Sequence, residues 1–252
     1  MALWFPNAWV NAVGHFRGWP LPPTLTESAL LDAPVVLRPP RASDERTFRR
    51  VRAANASWLE RWDPSLPEGP SGPSPLEALR NLVRRSPAWP YAWAARRRRE
   101  ARRGIAIGWV IVCDGQFAGQ LTVWHIVWGS SRSAEVAYWI DEEFAGRGVM
   151  PTALAMGIDY CFAALGLHRI EAGIRPENLA SRRAVEKLGF RDEGIRVRQV
   201  HIDGAWRDHV CYAITAEEAA AGLLPAWRRT VATARAQPTP SGSAIRSPQS
   251  HE

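Results

Sequence analysis

The sequence predicts an α/β (α+β) fold: a mixed, mostly antiparallel central sheet of about seven strands with helices on both faces. Three observations carry that prediction. Two Asp-Gly dipeptides, Asp114-Gly115 and Asp203-Gly204, each sit between β-rich runs, the strongest short hairpin signal a chain can give. Two segments with helical character each stop at a glycine, Gly166 and Gly189. The elements then fall in the order β-α-α, followed by β-β-β-α-β-α-β-β, a mixed sheet with helices on its faces.

In chain order, Val35–Arg38 (VVLR) is a short strand. Ser43 is placed to N-cap a helix over Asp44–Arg52, and a second helical segment runs through Ser57–Trp62. A Pro/Gly/Ser loop, Pro64–Pro75, precedes two more helical pieces. The last of these ends in the arginine run Ala95–Gly104, with cations at the favourable end of the dipole and Gly104 at C′. Ile105–Cys113 and Gln116–Val127 flank the first hairpin turn, and Ala134–Ile140 (AEVAYWI) follows as a third strand. Pro151–Leu165 carries Leu154, Ile158, Phe162 and Leu165 at helical spacing. Arg169–Arg175 is a strand, Asn178–Leu188 a short helix, and Val197–Ile202 with Trp206–Thr215 the second hairpin. Residues 1–34, rich in Trp and Pro, are assigned to an N-terminal arm and 35–220 to the folded domain. Residues 221–252 are assigned to a C-terminal tail, mostly disordered, because its Pro/Ser/Gln end cannot bury a core.

With 252 residues, 46% hydrophobic and 23% charged, the chain can bury a real core, which excludes a fibrous or wholly disordered protein. Its longest apolar stretch, Gly104 to Cys113, falls short of the ~20 residues of a membrane-spanning helix, so no membrane partner is expected. The N-terminus has no basic n-region and is broken by Pro6, which argues against a signal peptide. Cys113, Cys161 and Cys211 form no CxxC pair, so no metal site or disulfide framework is expected and the chain reads as reduced and cytoplasmic. The net charge of +7 invites a nucleic-acid partner, yet Lys187 is the sole lysine among 32 basic residues. So lopsided a use of arginine reflects base composition more than phosphate contacts, and direct nucleic-acid binding is not expected. A basic surface still steers an acidic ligand, a pyrophosphate included.

The most informative segment is Phe144-Ala145-Gly146-Arg147-Gly148-Val149-Met150-Pro151, between the third strand of the β-β-β run and its helix. A strand that stops in a Gly-x-Gly turn leaves backbone N–H groups pointing outward. Added to the free N–H groups and positive dipole end of the next helix, they form an anion cradle. Pro151 is tolerated in the first helical turn, and Arg147 adds a cation. A tight turn that merely needs glycine is the competing reading.

About thirty residues on come Ile174-Arg175-Pro176-Glu177-Asn178-Leu179-Ala180-Ser181 and Glu186-Lys187-Leu188-Gly189-Phe190. The whole arrangement resembles the GNAT superfamily of acetyl-CoA-dependent N-acetyltransferases. AEVAYWID, AGRGVMPTALA, GLHRIEAGIRPENLASRRAVEKLGF and HIDGAWRDHVCYAIT resemble, more narrowly, the Rim-type ribosomal-protein N-acetyltransferases. The resemblance covers about residues 35 to 220. It implies a GNAT-like fold, acetyl-CoA as cosubstrate, no metal, and a primary amine as acceptor, most simply a protein N-terminus. It also implies direct attack without an acyl-enzyme, in a monomer or homodimer. Ala145, Gly146, Arg147, Gly148, Val149 and Met150 would hold the pyrophosphate, while Tyr138, Trp139 and Ile140 would lend main-chain groups to the pantetheine arm and the oxyanion. Asn178 and Ser181 would meet the cofactor from the following helix. Two departures stand out: Ala145 and Met150 replace the family's usual side-chain donor and small residue, and Val185 occupies the position of a Tyr proton donor.

For the catalytic base, Glu135 and Glu171 are the candidates, since each is a carboxylate in a largely apolar strand, costly unless paired or solvated. A structural pairing with a nearby arginine is the alternative for both. Ser181 is a candidate to protonate the leaving thiolate or to hold a water near it. His125, His168, His201 and His209 share no ligand spacing and read as structural; Trp58, Leu59 and Trp62 would line the acceptor groove by the same resemblance, with core packing as the equal alternative. Two other readings stay open: a small-molecule amine acetyltransferase, and a non-catalytic ribosome- or nucleic-acid-associated module on the same scaffold.

Overall fold

The computed structural model describes residues 21–65, 67 and 89–236. Its centre is an eight-stranded sheet made of β1 (Leu25–Glu27), β2 (Val35–Arg38), β3 (Ile107–Cys113), β4 (Gln116–Val127), β5 (Ser133–Ile140), β6 (Arg169–Ile174), β7 (Arg191–Ile202) and β8 (Ala205–Thr215). The strands lie in the order β1-β2-β3-β4-β5-β6-β8-β7. Every neighbouring pair is antiparallel except β5 and β6, which are parallel and joined by a crossover helix. Both hairpin turns form as the sequence predicts, with positive φ at Asp114, Gly115, Asp203 and Gly204.

The helices are α1 (Asp44–Ala54), α2 (Ala56–Leu59), α3 (Trp89–Arg102), α4 (Val149–Ala163), α5 (Leu179–Glu186) and α6 (Leu223–Ala236), with a 3₁₀ turn over Glu60–Trp62. Period-two alternation gives the sheet two apolar faces. Trp109, Ile111, Leu121, Val123 and Val136 join Leu154 and Ile158 of α4 in the main core, whereas Val110 packs with Trp93 and Ala94 of α3 and with Phe48 of α1. Helix α4 sits flush on the sheet because Gly157 has no side chain: a Cβ there would lie 2.5 Å from Leu121 Cδ2.

The structure departs from expectation at four places. The N-terminal region contributes an eighth strand, β1, which pairs with β2, and it buries Leu30 in the main core. The assigned tail begins with α6, whose Leu223 and Trp227 are buried; residues 237–252 lie outside the described residues. Strand β7 starts at Arg191 instead of Val197, since an exposed edge strand with register shifts and positive φ at Gly194 and Arg198 lacks alternation. Ser43 makes no capping bond; Asp44 instead accepts from the Arg41 N–H at 2.6 Å and pairs with Arg38. Most of the Pro64–Pro75 loop and the first helical piece after it also lie outside the described residues.

Candidate active site

The sheet splits at its centre. Strand β5 stays in register with β4 as far as Ile140, but with β6 only through Ser133–Arg169, Ala134–Ile170 and Glu135–Glu171. Beyond that last rung β6 follows β8, so Val136–Ile140 and Ala172–Ile174 form the two walls of a V. Main-chain groups released from a sheet must find another partner, and the inner edge of β5 beyond Glu135 is no longer paired to β6. Tyr138 and Ile140 turn to the core face, and Ala137 and Trp139 to the other. The Tyr138 hydroxyl donates to the Ser181 carbonyl at 3.1 Å, and burial raises its pKa, so it stays a donor.

Past Ile140 the chain enters the glycine turn. Gly146 (φ +75) and Gly148 (φ +79) are both left-handed, and Gly148 is the N-cap residue of α4. A Cβ on Gly146 would meet open space; one on Gly148 would come within 3.2 Å of Leu31 Cδ2 and 3.7 Å of Trp227. One side of the turn is therefore open and the other is backed by the chain's two terminal regions. The Gly148 carbonyl accepts from the Thr152 N–H at 3.1 Å and its hydroxyl at 2.9 Å, and Trp227 Nε1 donates to Thr152 Oγ1 at 3.0 Å. The first N–H groups of α4 have no partner within the helix, so this helix start carries free donors and the positive end of the dipole, the chemistry that an anion requires. Val149 and Met150 are buried in the main core, so the Met150 thioether packs with the core. Arg147 is exposed and stacks over Phe144 at 5.3 Å; Ala145 is half-buried.

The two candidate carboxylates are register partners with different surroundings. For Glu171, burial favours the neutral acid, but Arg169 at 2.7 Å and Arg196 at 3.1 Å outweigh it and hold the carboxyl below its ordinary range. Arg169 and Arg191 likewise hold Glu193 at about 2. Glu135 has no arginine in pairing distance among the described residues; its neighbour is His125 Nδ1 at 3.4 Å. Asn178 caps α5, accepting from the Ser181 N–H at 3.1 Å, which is the structural role of that residue type. Ser181 lies half-buried at the wall that Tyr138 reaches, and Val185 is fully buried, with no hydroxyl to offer.

The segment from Asn55 to Ser65 crosses the V on the Glu135 face. At one end buried Asn55 donates to Asp141 Oδ1 at 3.0 Å and accepts from the Glu142 N–H at 2.9 Å, just ahead of the glycine turn. At the other end the Ser65 N–H donates to the His201 carbonyl at 2.8 Å, and Pro64 bridges to Ile202. Between them Arg175 Nη1 donates to the Arg61 carbonyl at 2.9 Å and lies 5.3 Å over Trp62. Arg52 pairs with Asp63 and lies 5.2 Å over Trp139. Trp58 and Trp62 are half-buried on this segment, and Leu59 is buried. Sequence reasoning missed Asn55 and Arg175, since partners 86 and 114 positions away leave no local signal.

Among the described residues no cluster of His, Cys, Asp and Glu is arranged to hold a metal ion, and no helix is long and apolar enough to cross a membrane. A divided sheet with a glycine turn at the mouth of the split defines a class. Residues 35–191 match the acetyltransferase (GNAT) domain model, and the chain belongs to that family of N-acetyltransferases. Among its relatives is Bacillus subtilis YjcK, 42% identical over 101 residues, 40% of this chain and 56% of that protein. The [ribosomal protein uS5]-alanine N-acetyltransferase of Escherichia coli is 37% identical over 91 residues, 36% of this chain and 47% of that one. The chain thus spans about half the length of these curated relatives. A solved structure, Mycobacterium smegmatis RimJ in complex with CoA-disulfide, superposes with a TM-score of 0.70 at 40% identity, covering 86% of this chain and 97% of that one.

Proposed function

We propose that the protein transfers the acetyl group of acetyl-CoA to the N-terminal α-amine of a protein in the cytoplasm. The observation that carries this reading is the V between β5 and β6, which opens beside a left-handed Gly146/Gly148 turn at the start of α4. The likeness to the mycobacterial RimJ, solved in complex with CoA-disulfide and 40% identical, supports a coenzyme A thioester as cosubstrate. Main-chain groups of Ala145 to Met150 hold the diphosphate, with Arg147 supplying a cation. The β5 edge from Tyr138 through Trp139 to Ile140 bonds the pantetheine amides and offers one N–H to the developing oxyanion. Asn178 and Ser181 approach from α5, Ser181 near the sulfur. Acetyl-CoA supplies an acyl group already activated as a thioester, so the chain's work is to orient the amine and move its protons.

Glu135 accepts the proton in this reading, directly or through water, because Glu171 is held by two arginines whereas Glu135 meets His125 at 3.4 Å. Substrate chemistry points the same way. A peptide α-amine has a pKa near ~8 and a lysine amine near ~10.4, so neutralising lysine at pH 7 costs about 3 kcal/mol more. A single weak base suits the α-amine. Mass spectrometry on peptides beginning with Ala or Ser, a peptide with a blocked N-terminus and one lysine, and spermidine tests the assignment. The α-amine is the expected site of acetylation. Acetylated spermidine with untouched peptides would establish the small-amine reading instead.

A further inference from the structure

We propose that His209 and Gln199 form the subsite that receives the acceptor's amine, the imidazole Nε2 and the amide Oε1 each accepting one of its N–H groups; this rests on the acetyl-transfer reading of the cleft. Both residues come from the β7–β8 hairpin, and the mechanism above uses neither. In β8, Cys211 pairs with Gly173, so His209, two residues earlier, lies on the face that carries Glu171 and Gly173. That face is the one crossed by the Asn55–Ser65 segment.

His209 is only 6% exposed, and its Nδ1 lies 3.1 Å from the Arg207 carbonyl. A carbonyl can only accept, so Nδ1 carries the hydrogen and Nε2 presents its lone pair. Burial and the nearby Arg175 both favour the neutral ring, outweighing Asp208, Glu177 and the Arg207 carbonyl. Gln199 Oε1 is enclosed and has no donor among the described residues, a costly state for an amide oxygen.

Both side chains lie over Gly173. A Cβ built on Gly173 would lie 3.6 Å from Gln199 Oε1 and 3.9 Å from His209 Cδ2. Gly173 has no positive φ, so its backbone does not require glycine; its missing side chain lets Gln199 and His209 pack close against this wall of the V. An amine brings N–H donors and no acceptor until it loses its proton. A carboxylate in this place would hold it as unreactive ammonium, whereas two uncharged acceptors bind the nucleophilic form without that penalty.

Kinetics of the full chain with an Ala-leading peptide test the subsite, using Gln199→Met, Gly173→Ala and His209→Phe beside calorimetry with acetyl-CoA. Losing one hydrogen bond is expected to raise the peptide KM about tenfold in Gln199→Met, with acetyl-CoA affinity unchanged. Gln199→Met and Gly173→Ala decide the matter should His209→Phe fail to fold. Unchanged peptide KM in the folded variants of an active enzyme overturns the subsite and leaves the acetyl-transfer reading standing. A wild type that neither binds acetyl-CoA nor acetylates any amine overturns both.

Discussion

Glu135 and Glu171 face each other on the last rung that joins β5 to β6, and only Glu171 is claimed by arginine. The sheet opens directly beyond this pair, so the less encumbered carboxylate stands at the closed end of the cleft. Glu135→Gln is expected to lower kcat on an α-amine peptide by about 10²-fold, the usual scale for losing a general base. Glu171→Gln is expected to lower kcat no more than about threefold. Steady-state rates across pH separate the two; equal losses would show that the carboxylates work as one unit.

Tyr138 ties the free edge of β5 to the first turn of α5 through the Ser181 carbonyl. Tyr138→Phe removes that bond and keeps the ring. Thermal melting is expected to show a loss of about 1 kcal/mol, and calorimetry a weaker affinity for acetyl-CoA because the wall is no longer fixed.

Trp227 packs behind Gly148 and bonds Thr152, so the C-terminal helix supports the glycine turn. Trp227→Ala is expected to cost about 3–5 kcal/mol in denaturant unfolding. Trp227→Phe keeps most of the packing and loses only the N–H bond, about 1 kcal/mol.

Glu27 couples β1 to α6, accepting from Arg228 and from the N–H groups of Ala29 and Leu30. Burial alone would raise its pKa, but these partners outweigh it and hold the carboxyl below its ordinary 4.5. Its ionised form therefore favours the folded state. That contribution is whole above about pH 4.5 and is lost as pH falls through the lower folded value. Unfolding midpoints taken from about pH 6 to about pH 3 are expected to fall more steeply for wild type than for Glu27→Gln. Parallel curves would count against the coupling.

What the sequence made legible was local. The Asp114-Gly115 and Asp203-Gly204 turns need positive φ at both residues, and the residues themselves announce it. The glycine turn and the helix behind it could be read for the same reason. Strand β1 has three residues and is a strand only because β2 lies beside it. Leu223, Trp227 and Val231 do recur every four residues, a helical signal overshadowed by the polar stretch that follows. Within the site, Glu135 and Glu171 looked equivalent: Arg169 stands two positions before Glu171, but that its side chain turns onto Glu171, and that Arg196 joins it from 25 positions away, is set by the fold.

Calorimetric titration of the full chain with acetyl-CoA tests the central claim most directly, with Gly146→Asp as its control. Because a Cβ at Gly146 meets open space, the added carboxylate costs the fold only the strain of a left-handed residue, roughly 1–2 kcal/mol, while placing negative charge in the cradle. Saturable one-to-one binding by wild type, weakened at least tenfold in Gly146→Asp, is the predicted result. No heat from wild type at sub-millimolar acetyl-CoA, or equal affinity in the two proteins, would contradict it.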